Sequence, residues 1–405
     1  MSQKDPIIVL FNYGGGMRGL IPAHIMAAIE EKTGLRMADM VDVFAGPSTG
    51  AILNAALNVP HPEDPTQPKY RARHMVRFYE REGPKIFPRD RFRDFRGFIH
   101  DFNNRTMKIG QLNNLMRHGH YDPAHLSYCL QALYGDKRLE DSLRSLIIPV
   151  YNIDGAQLPV AQEDDETTAS PVHTRNNFTD GGGHAVWLKH MRLTRNPQPV
   201  PQVSLHDAIM GSTAAPTYFP CHHFKARHPT SGKIIEYSGI DGSIFDNPCI
   251  SYHGAMRQHL PDDRPVIMIL LGTGYTLRSF NKDQWNSYGG LGVVDPVNDL
   301  PLINILFHAP ESALVESFYQ ELGEDNLYVF NKVVAGAANA PSLSIDDASP
   351  ENFKRMELFA RETIEDNAAK FDSLCDFLAA THDRRKRDGY TLEKSKKKGF
   401  WDIFK

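Results

Sequence analysis

Cysteine is scarce in this chain and badly spaced for pairing. Cys129, Cys221, Cys249 and Cys375 lie far apart among 405 residues, and no C-x-x-C spacing occurs. That argues against a disulfide framework or a zinc ribbon and reads as reduced thiols of a cytosolic type. Long apolar runs are missing as well. No stretch reaches the roughly 18 apolar residues that a membrane-spanning helix needs. The N-terminus lacks a signal peptide's pattern: Lys4 and Asp5 precede only the short run Ile7–Phe11, with no small-residue cleavage site. A cytoplasmic location is expected; peripheral membrane contact, or export without an N-terminal signal, stays open. Charge of one sign is also in short supply. The net charge is -4, so nothing global points to nucleic acid. Histidine is plentiful, at 18 residues. Yet neither His118/His120 nor His222/His223 is completed by a carboxylate or cysteine, so no metal and no cofactor is expected.

What is present is a large α/β pattern. At 41% hydrophobic and 23% charged, the chain supports a sizeable core. Ile7–Phe11 is a β-branched apolar run, as in a strand buried on both faces. A glycine loop, Gly14 to Gly19, follows. Ile21 to Lys32 then reads as a helix with Pro22 in its first turn and Gly34 as its stop. Met40 to Ala45 is a second predicted strand, Gly46 to Gly50 a tight turn, and Ala51 to Asn58 a helix. This alternation predicts a parallel sheet covered by helices. From about 60 to 145 a helical insertion or cap is predicted, with Phe and Arg interleaved over 87–102. Further strands are predicted at 146–153, 186–193 and 266–271, and a polar surface loop at 162–177. Residues 300–380 are predicted helical, with Ser349 as N-cap and apolar residues recurring from Phe353 to Leu378. The domain expectation is one unit over 1–380 and a basic, aromatic tail over 381–405.

Three motifs could carry chemistry. Ser48 lies in Gly46-Pro47-Ser48-Thr49-Gly50, a G-x-S-x-G sequence between predicted strand and helix. Such a turn exposes a serine at the carboxyl end of a sheet and next to a helix N-terminus, which favours a developing alkoxide. A serine hydroxyl needs a base. No histidine sits in a convincing motif, whereas Asp241 precedes Gly242-Ser243. An isolated Asp-Gly is ordinarily a turn. The loop Gly14-Gly15-Gly16-Met17-Arg18-Gly19 fits two jobs. Its amides could cradle a dinucleotide phosphate, with Asp39 or Asp42 reading a ribose, or could form an oxyanion hole beside Ser48.

Together and in this order, the glycine loop, the Ser48 turn and Asp241-Gly242-Ser243 resemble the patatin-like phospholipases. Ser212-Thr213-Ala214-Ala215-Pro216-Thr217-Tyr218-Phe219-Pro220, Asn247-Pro248 and Leu271-Gly272-Thr273-Gly274 extend the likeness. The resemblance implies a three-layer α/β/α sandwich with a central, mainly parallel sheet. It implies hydrolysis of fatty acyl esters of phospholipids or lysophospholipids without calcium. It also implies a Ser-Asp dyad in which Ser48 is the nucleophile and Asp241 the base. The amides of the Gly15-Gly16-Met17 stretch become the oxyanion hole, within the loop Gly14 to Gly19, and Arg18 supports it. The sequence departs from the family pattern at Tyr13, where aspartate is usual, at Pro47, and at Ser243.

A lipid substrate calls for a membrane-facing surface. The Phe/Arg segment 87–102 and the tail Lys396-Lys397-Lys398-Gly399-Phe400-Trp401 are the candidates. Two other functions are weighed: a phospholipase effector silent until an activating nucleotide or protein binds, and an acyltransferase.

Overall fold

The structure, a computed structural model, describes residues 5–88, 121–154, 183–193, 200–216, 218–227, 232–275, 280–293, 305, 314–334 and 339–389. The Phe/Arg segment beyond Pro88, His118 and His120, the loop 162–177 and the tail from 390 onward lie outside the described residues. Among the described residues eight strands form one sheet: Ile7–Asn12 (β1), Val43–Ala45 (β2), Ser145–Asn152 (β3), His184–His190 (β4), His222–Arg227 (β5), Ile234–Ile240 (β6), Val266–Leu271 (β7) and Leu327–Phe330 (β8). The order β3-β2-β1-β7-β8 is parallel throughout. β3 also pairs antiparallel with β4 and, through Tyr151 and Asn152, with β6, which in turn pairs with β5.

The apolar run of β1 explains its central place. All its side chains are buried, and alternate residues serve opposite faces. Ile8 and Leu10 join the larger core. The helices on that side are Leu20–Thr33 (α1), Thr49–Ala56 (α2), Ala72–Ile86 (α3), Ala124–Tyr134 (α4), Leu205–Thr213 (α5), Pro350–Asp366 (α6) and Ala368–Arg387 (α7). Ile7, Val9 and Phe11 join a second core with Tyr252 and Met256, which lie in a π turn, and with Phe318 and Leu322. The result is a three-layer α/β/α sandwich around a mostly parallel sheet.

Local signals account for several element ends. α1 stops at Gly34, whose φ of 73° is left-handed. Ser349 caps α6, its side chain accepting from the Asn352 amide. Four expectations need correction. The second strand is shorter than predicted, because Met37–Met40 closes a helical turn and β2 starts only at Val43. The C-terminal helix is two helices, broken at Asn367. The region 300–380 is not wholly helical, since β8 adds a parallel strand beside β7. Strands β5 and β6 went unforeseen because they are partly exposed and carry His222, His223, Lys225, Arg227 and Glu236 on a sparsely covered edge. Among the described residues no helix is long and apolar enough to cross a membrane.

An ion-pair clamp fixes the C-terminal helix to the sheet. Arg385, in the last turn of α7, donates to both carboxylate oxygens of Asp42 at 3.0 and 2.8 Å, to Asp5 at 3.0 Å and to the Pro6 carbonyl at 2.7 Å. Asp42 is only 2% exposed and also accepts the Ile8 amide at 2.8 Å. Removing one member of a buried pair strands the other charge. Arg385→Ala is therefore expected to lose about 3–5 kcal/mol of stability in denaturant titration. A loss below about 1 kcal/mol, the worth of a surface pair, would mean the clamp is solvated and unimportant.

Candidate active site

The site forms where β1, β2 and β3 end. After β2 the chain turns sharply into α2, and Ser48 sits in the turn with φ 52° and ψ -125°. It is the only non-glycine residue with positive φ among the described residues. Such a backbone costs roughly 1–3 kcal/mol and persists only where its surroundings enforce it. The flanking glycines show how. A β-carbon on Gly46 or Gly50 would lie 2.0 or 2.1 Å from the Asn12 carbonyl oxygen at the end of β1. Only bare backbone fits that approach. Pro47 does not disturb the helix start, because its carbonyl accepts the Ala51 amide at 3.2 Å. Under the turn, Asn12 donates to Asn54 at 2.6 Å, and Asn54 donates to the Ala45 carbonyl at 2.7 Å. That buried amide pair locks β1, β2 and α2 together.

Ser48 Oγ donates to Asp241 Oδ2 at 2.9 Å. Both groups are buried, at 8% and 4% exposure. Asp241 follows β6, and its other oxygen is held twice by Ser243, through the amide at 2.8 Å and the hydroxyl at 2.7 Å. Ser212, in α5, connects the two halves. Its hydroxyl accepts the Ser48 amide at 3.1 Å and donates to the Pro149 carbonyl at 2.7 Å. Two residues on, the Ala214 carbonyl accepts the Asp241 amide at 3.0 Å. The motif around Ser212 was visible in the sequence, but this bridging job was not.

The glycine loop lies beside the pair. A β-carbon on Gly14 would meet Ser243 Oγ at 2.8 Å and Ser48 Cβ at 3.5 Å. Of the six loop residues, three amides are engaged. Gly14 donates to Asp246 Oδ2 at 2.8 Å, Met17 to the Ile345 carbonyl at 2.7 Å, and Arg18 to the Gly15 carbonyl at 3.1 Å. Gly19 closes the 3-10 turn Gly16–Gly19, and the amides of Gly15 and Gly16, with φ of 146° and 57°, have no such partner among the described residues. Expecting Met17 as a donor overlooked Ile345, whose carbonyl arrives from a distant segment. Thr273 Oγ1 donates to the Gly14 carbonyl at 2.6 Å, so the late glycine turn braces the loop. Arg18 is half-buried; burial lowers the pKa of its guanidinium, and the Asp246 carboxylate pulls it back up. Gly19 packs on Thr49 and Tyr79, and Gly242 on the Pro149 carbonyl. Asp39 is taken up with the Arg36 amide and Asp42 with Arg385. Both oxygens of Asp42 are engaged by Arg385, so that carboxylate is not available for a nucleotide's ribose.

The patatin-like phospholipase family profile matches residues 13–252, more than half of the chain. The chain belongs to the patatin-like phospholipases. Patatin-like protein 2 of Arabidopsis thaliana is 26% identical over 395 residues, covering 91% of this chain and 86% of that one. Patatin-T5 of Solanum tuberosum is 24% identical over 415 residues, covering 94% and 91%. Among solved structures, VipD from Legionella pneumophila aligns with 89% of this chain and 67% of its own at 11% identity. Its TM-score is 0.27. Membership makes the protein a lipid acyl hydrolase in the general sense.

The surroundings of this patatin-like site are apolar. A small apolar cavity opens beside Ser48, walled mainly by Met17, Ile52, Phe78, Ile86, Leu126 and Phe219. Burial pushes the Asp241 carboxyl up to about 6, against a partial downward pull from the bonds to Ser243 and Ser48. Below about pH 4 the carboxyl is neutral in folded and unfolded chains alike. Between about pH 4 and pH 6 the unfolded chain has lost this proton while the folded chain still holds it, so stability falls by about 3 kcal/mol and levels off above pH 6. Asp241→Asn stays neutral. Relative to wild type it should therefore gain about 3 kcal/mol between pH 4 and pH 8 in denaturant titrations. An unchanged difference at the two pH values would show that this carboxyl titrates normally.

Proposed function

We propose that the protein hydrolyses fatty acyl esters of phospholipids or lysophospholipids through an acyl-enzyme on Ser48, with Asp241 as the base. The hydrogen bond between Ser48 Oγ and Asp241 Oδ2 carries this reading. A serine hydroxyl is weakly nucleophilic until a base takes its proton. A carboxyl titrating near pH 6 is mostly ionised at neutral pH and remains basic enough to receive a proton. Ser48 Oγ attacks the ester carbonyl as Asp241 accepts the proton. The amides of Gly15 and Gly16 hold the oxyanion. Asp241 then returns the proton to the departing alcohol or lysolipid, water attacks the acyl group, and free fatty acid leaves. The apolar cavity beside Ser48 takes the acyl chain out of water. Burying an apolar chain there is favourable at about 25 cal/mol per Å². Residues 1–380 act as one acyl hydrolase unit in this reading, which requires no metal and no cofactor for the chemistry.

Two measurements test the proposal. A panel of phospholipids, lysophospholipids and neutral esters is incubated with wild type and Ser48→Ala, and the products are identified by mass. Ser48→Ala should release no fatty acid and should escape labelling by a fluorophosphonate; activity persisting in Ser48→Ala would sink the mechanism. The second concerns pH. The acidic limb of kcat/KM should fall near pH 6, where Asp241 becomes protonated. Ser243→Ala removes one bond to the carboxylate, so Asp241 becomes less acidic and the limb moves to higher pH. Activity at pH 6 should drop more than activity at pH 8. A uniform loss across the range would assign Ser243 a structural role only.

A further inference from the structure

A cluster outside the Ser48 site uses three kinds of side chain that metals favour. Glu82 comes from α3, and His125 and Cys129 come from α4. His125 and Cys129 are four residues apart, so they share one face of their helix. His125 Nε2 lies 3.1 Å from Glu82 Oε2, and Cys129 Sγ lies 3.8 Å from the same oxygen. All three ligand atoms fall within 4.8 Å of one another. Cys129 is buried and the other two are half-buried. The sequence reading looked for neighbouring histidines and so passed over this set, which only the packing of α3 on α4 brings together.

We propose that Glu82, His125 and Cys129 form a transition-metal site suited to Zn²⁺. Zinc bonds of about 2.0 Å to oxygen, 2.0–2.1 Å to nitrogen and 2.3 Å to sulfur place tetrahedral ligand atoms roughly 3.3–3.6 Å apart. The two distances to Glu82 bracket that range, and His125 and Cys129 lie within 4.8 Å of each other, so side-chain rotation closes the set onto the ion. One thiolate, one imidazole and one carboxylate select zinc or cobalt over magnesium or calcium, which prefer oxygen alone. Binding exchanges the Cys129 thiol proton for the metal and releases that proton to water. Thiolate and carboxylate together then balance the charge of a divalent ion. Two cations compete for Glu82: Lys85 Nζ at 3.0 Å and Arg81 Nε at 3.2 Å. Both are exposed, at 52% and 81%, and swing into solvent at little cost. The fourth position is left to water.

The site would act as a clamp between two helices. Glu82 precedes Gly83 and His125 precedes Leu126, and Gly83, Ile86 and Leu126 line the cavity beside Ser48. A metal joining α3 to α4 therefore fixes the separation of two cavity walls. This proposal is independent of the reaction assigned to Ser48.

Cobalt(II) is the probe. Full-length protein is stripped with a chelator and titrated with Co²⁺ under reducing conditions. One Co²⁺ per chain should bind, with a near-ultraviolet sulfur-to-cobalt charge-transfer band and visible bands of a tetrahedral ion, all displaced by Zn²⁺. Cys129→Ser should lose the charge-transfer band, and Cys221→Ser, which alters the exposed cysteine, should keep it. Glu82→Gln, at a more accessible position, guards against a folding defect in the Cys129 variant. Zn²⁺ should raise the melting temperature of wild type but not of Glu82→Gln. Absence of the band in wild type, its survival in Cys129→Ser, or equal Zn²⁺ stabilisation of Glu82→Gln would each overturn the proposal.

Discussion

The carbonyl oxygen of Asn12 is the point on which the site is built. It ends the central strand and presses against two glycines, Gly46 and Gly50, that bracket Ser48. No other residue type allows that contact, and without it the turn into α2 would open. The strained backbone at Ser48 is thus set by crowding from β1 rather than by its own preference. Three more constraints close around it. The Gly46 amide donates to the Ile147 carbonyl of β3, the Ser48 amide to Ser212, and the Asn12 side chain to Asn54. Each ties the turn to a different element. The serine therefore rests on the sheet, with α5 and α2 holding it from the sides.

The second dependence is electrostatic. Asp241 is buried to 4% exposure, and that burial makes its carboxyl less acidic. Three hydrogen bonds oppose the effect without cancelling it. Ser243 supplies two of them, although its position was first notable only as a departure from the family pattern. A small residue there would leave the carboxylate with fewer partners. The serine keeps one oxygen fixed while the other meets Ser48. Orientation of a base by a neighbouring donor is what a histidine-based triad obtains from its third member. Here the carboxylate is itself the base, so the orienting bond comes from a hydroxyl.

How much of this was legible in the sequence follows from where each signal lives. β1, β7 and α1 could be read because burial on two faces, or on one helical stripe, leaves a periodic trace over six or more residues. The glycines at 46 and 50 could be read because only sterics explains them. β5 and β6 could not, since partly exposed edge strands need few apolar residues and β5 carries four basic or imidazole side chains among six. β8 is only four residues long and gains its identity from pairing with β7. The partnership of Ser48 and Asp241 spans 193 positions. Local chemistry gave Asp241 no more than a turn, and the order of the motifs along the chain raised it to a candidate. The jobs of Ser212, Thr273 and Ile345 are contacts across the fold, and nothing in their local sequence encodes them.

Two features of the site oppose folding. The Ser48 backbone costs roughly 1–3 kcal/mol, and ionising Asp241 at neutral pH costs about 3 kcal/mol more. Together they come to about 4–6 kcal/mol, comparable with the low end of a domain's net stability of about 5–15 kcal/mol. They persist because the rest of the molecule is held from both ends of the sheet. At the carboxyl end, the amide pair Asn12–Asn54 and the bridge of Ser212 resist relaxation of the turn. At the opposite end, Arg385 joins Asp5, Pro6 and Asp42, so the last helix secures the beginnings of the same central strands. Neither fastening touches the cavity. A site strained in backbone and charged in the dark needs a frame that cannot yield locally, and a sheet pinned at both ends supplies one.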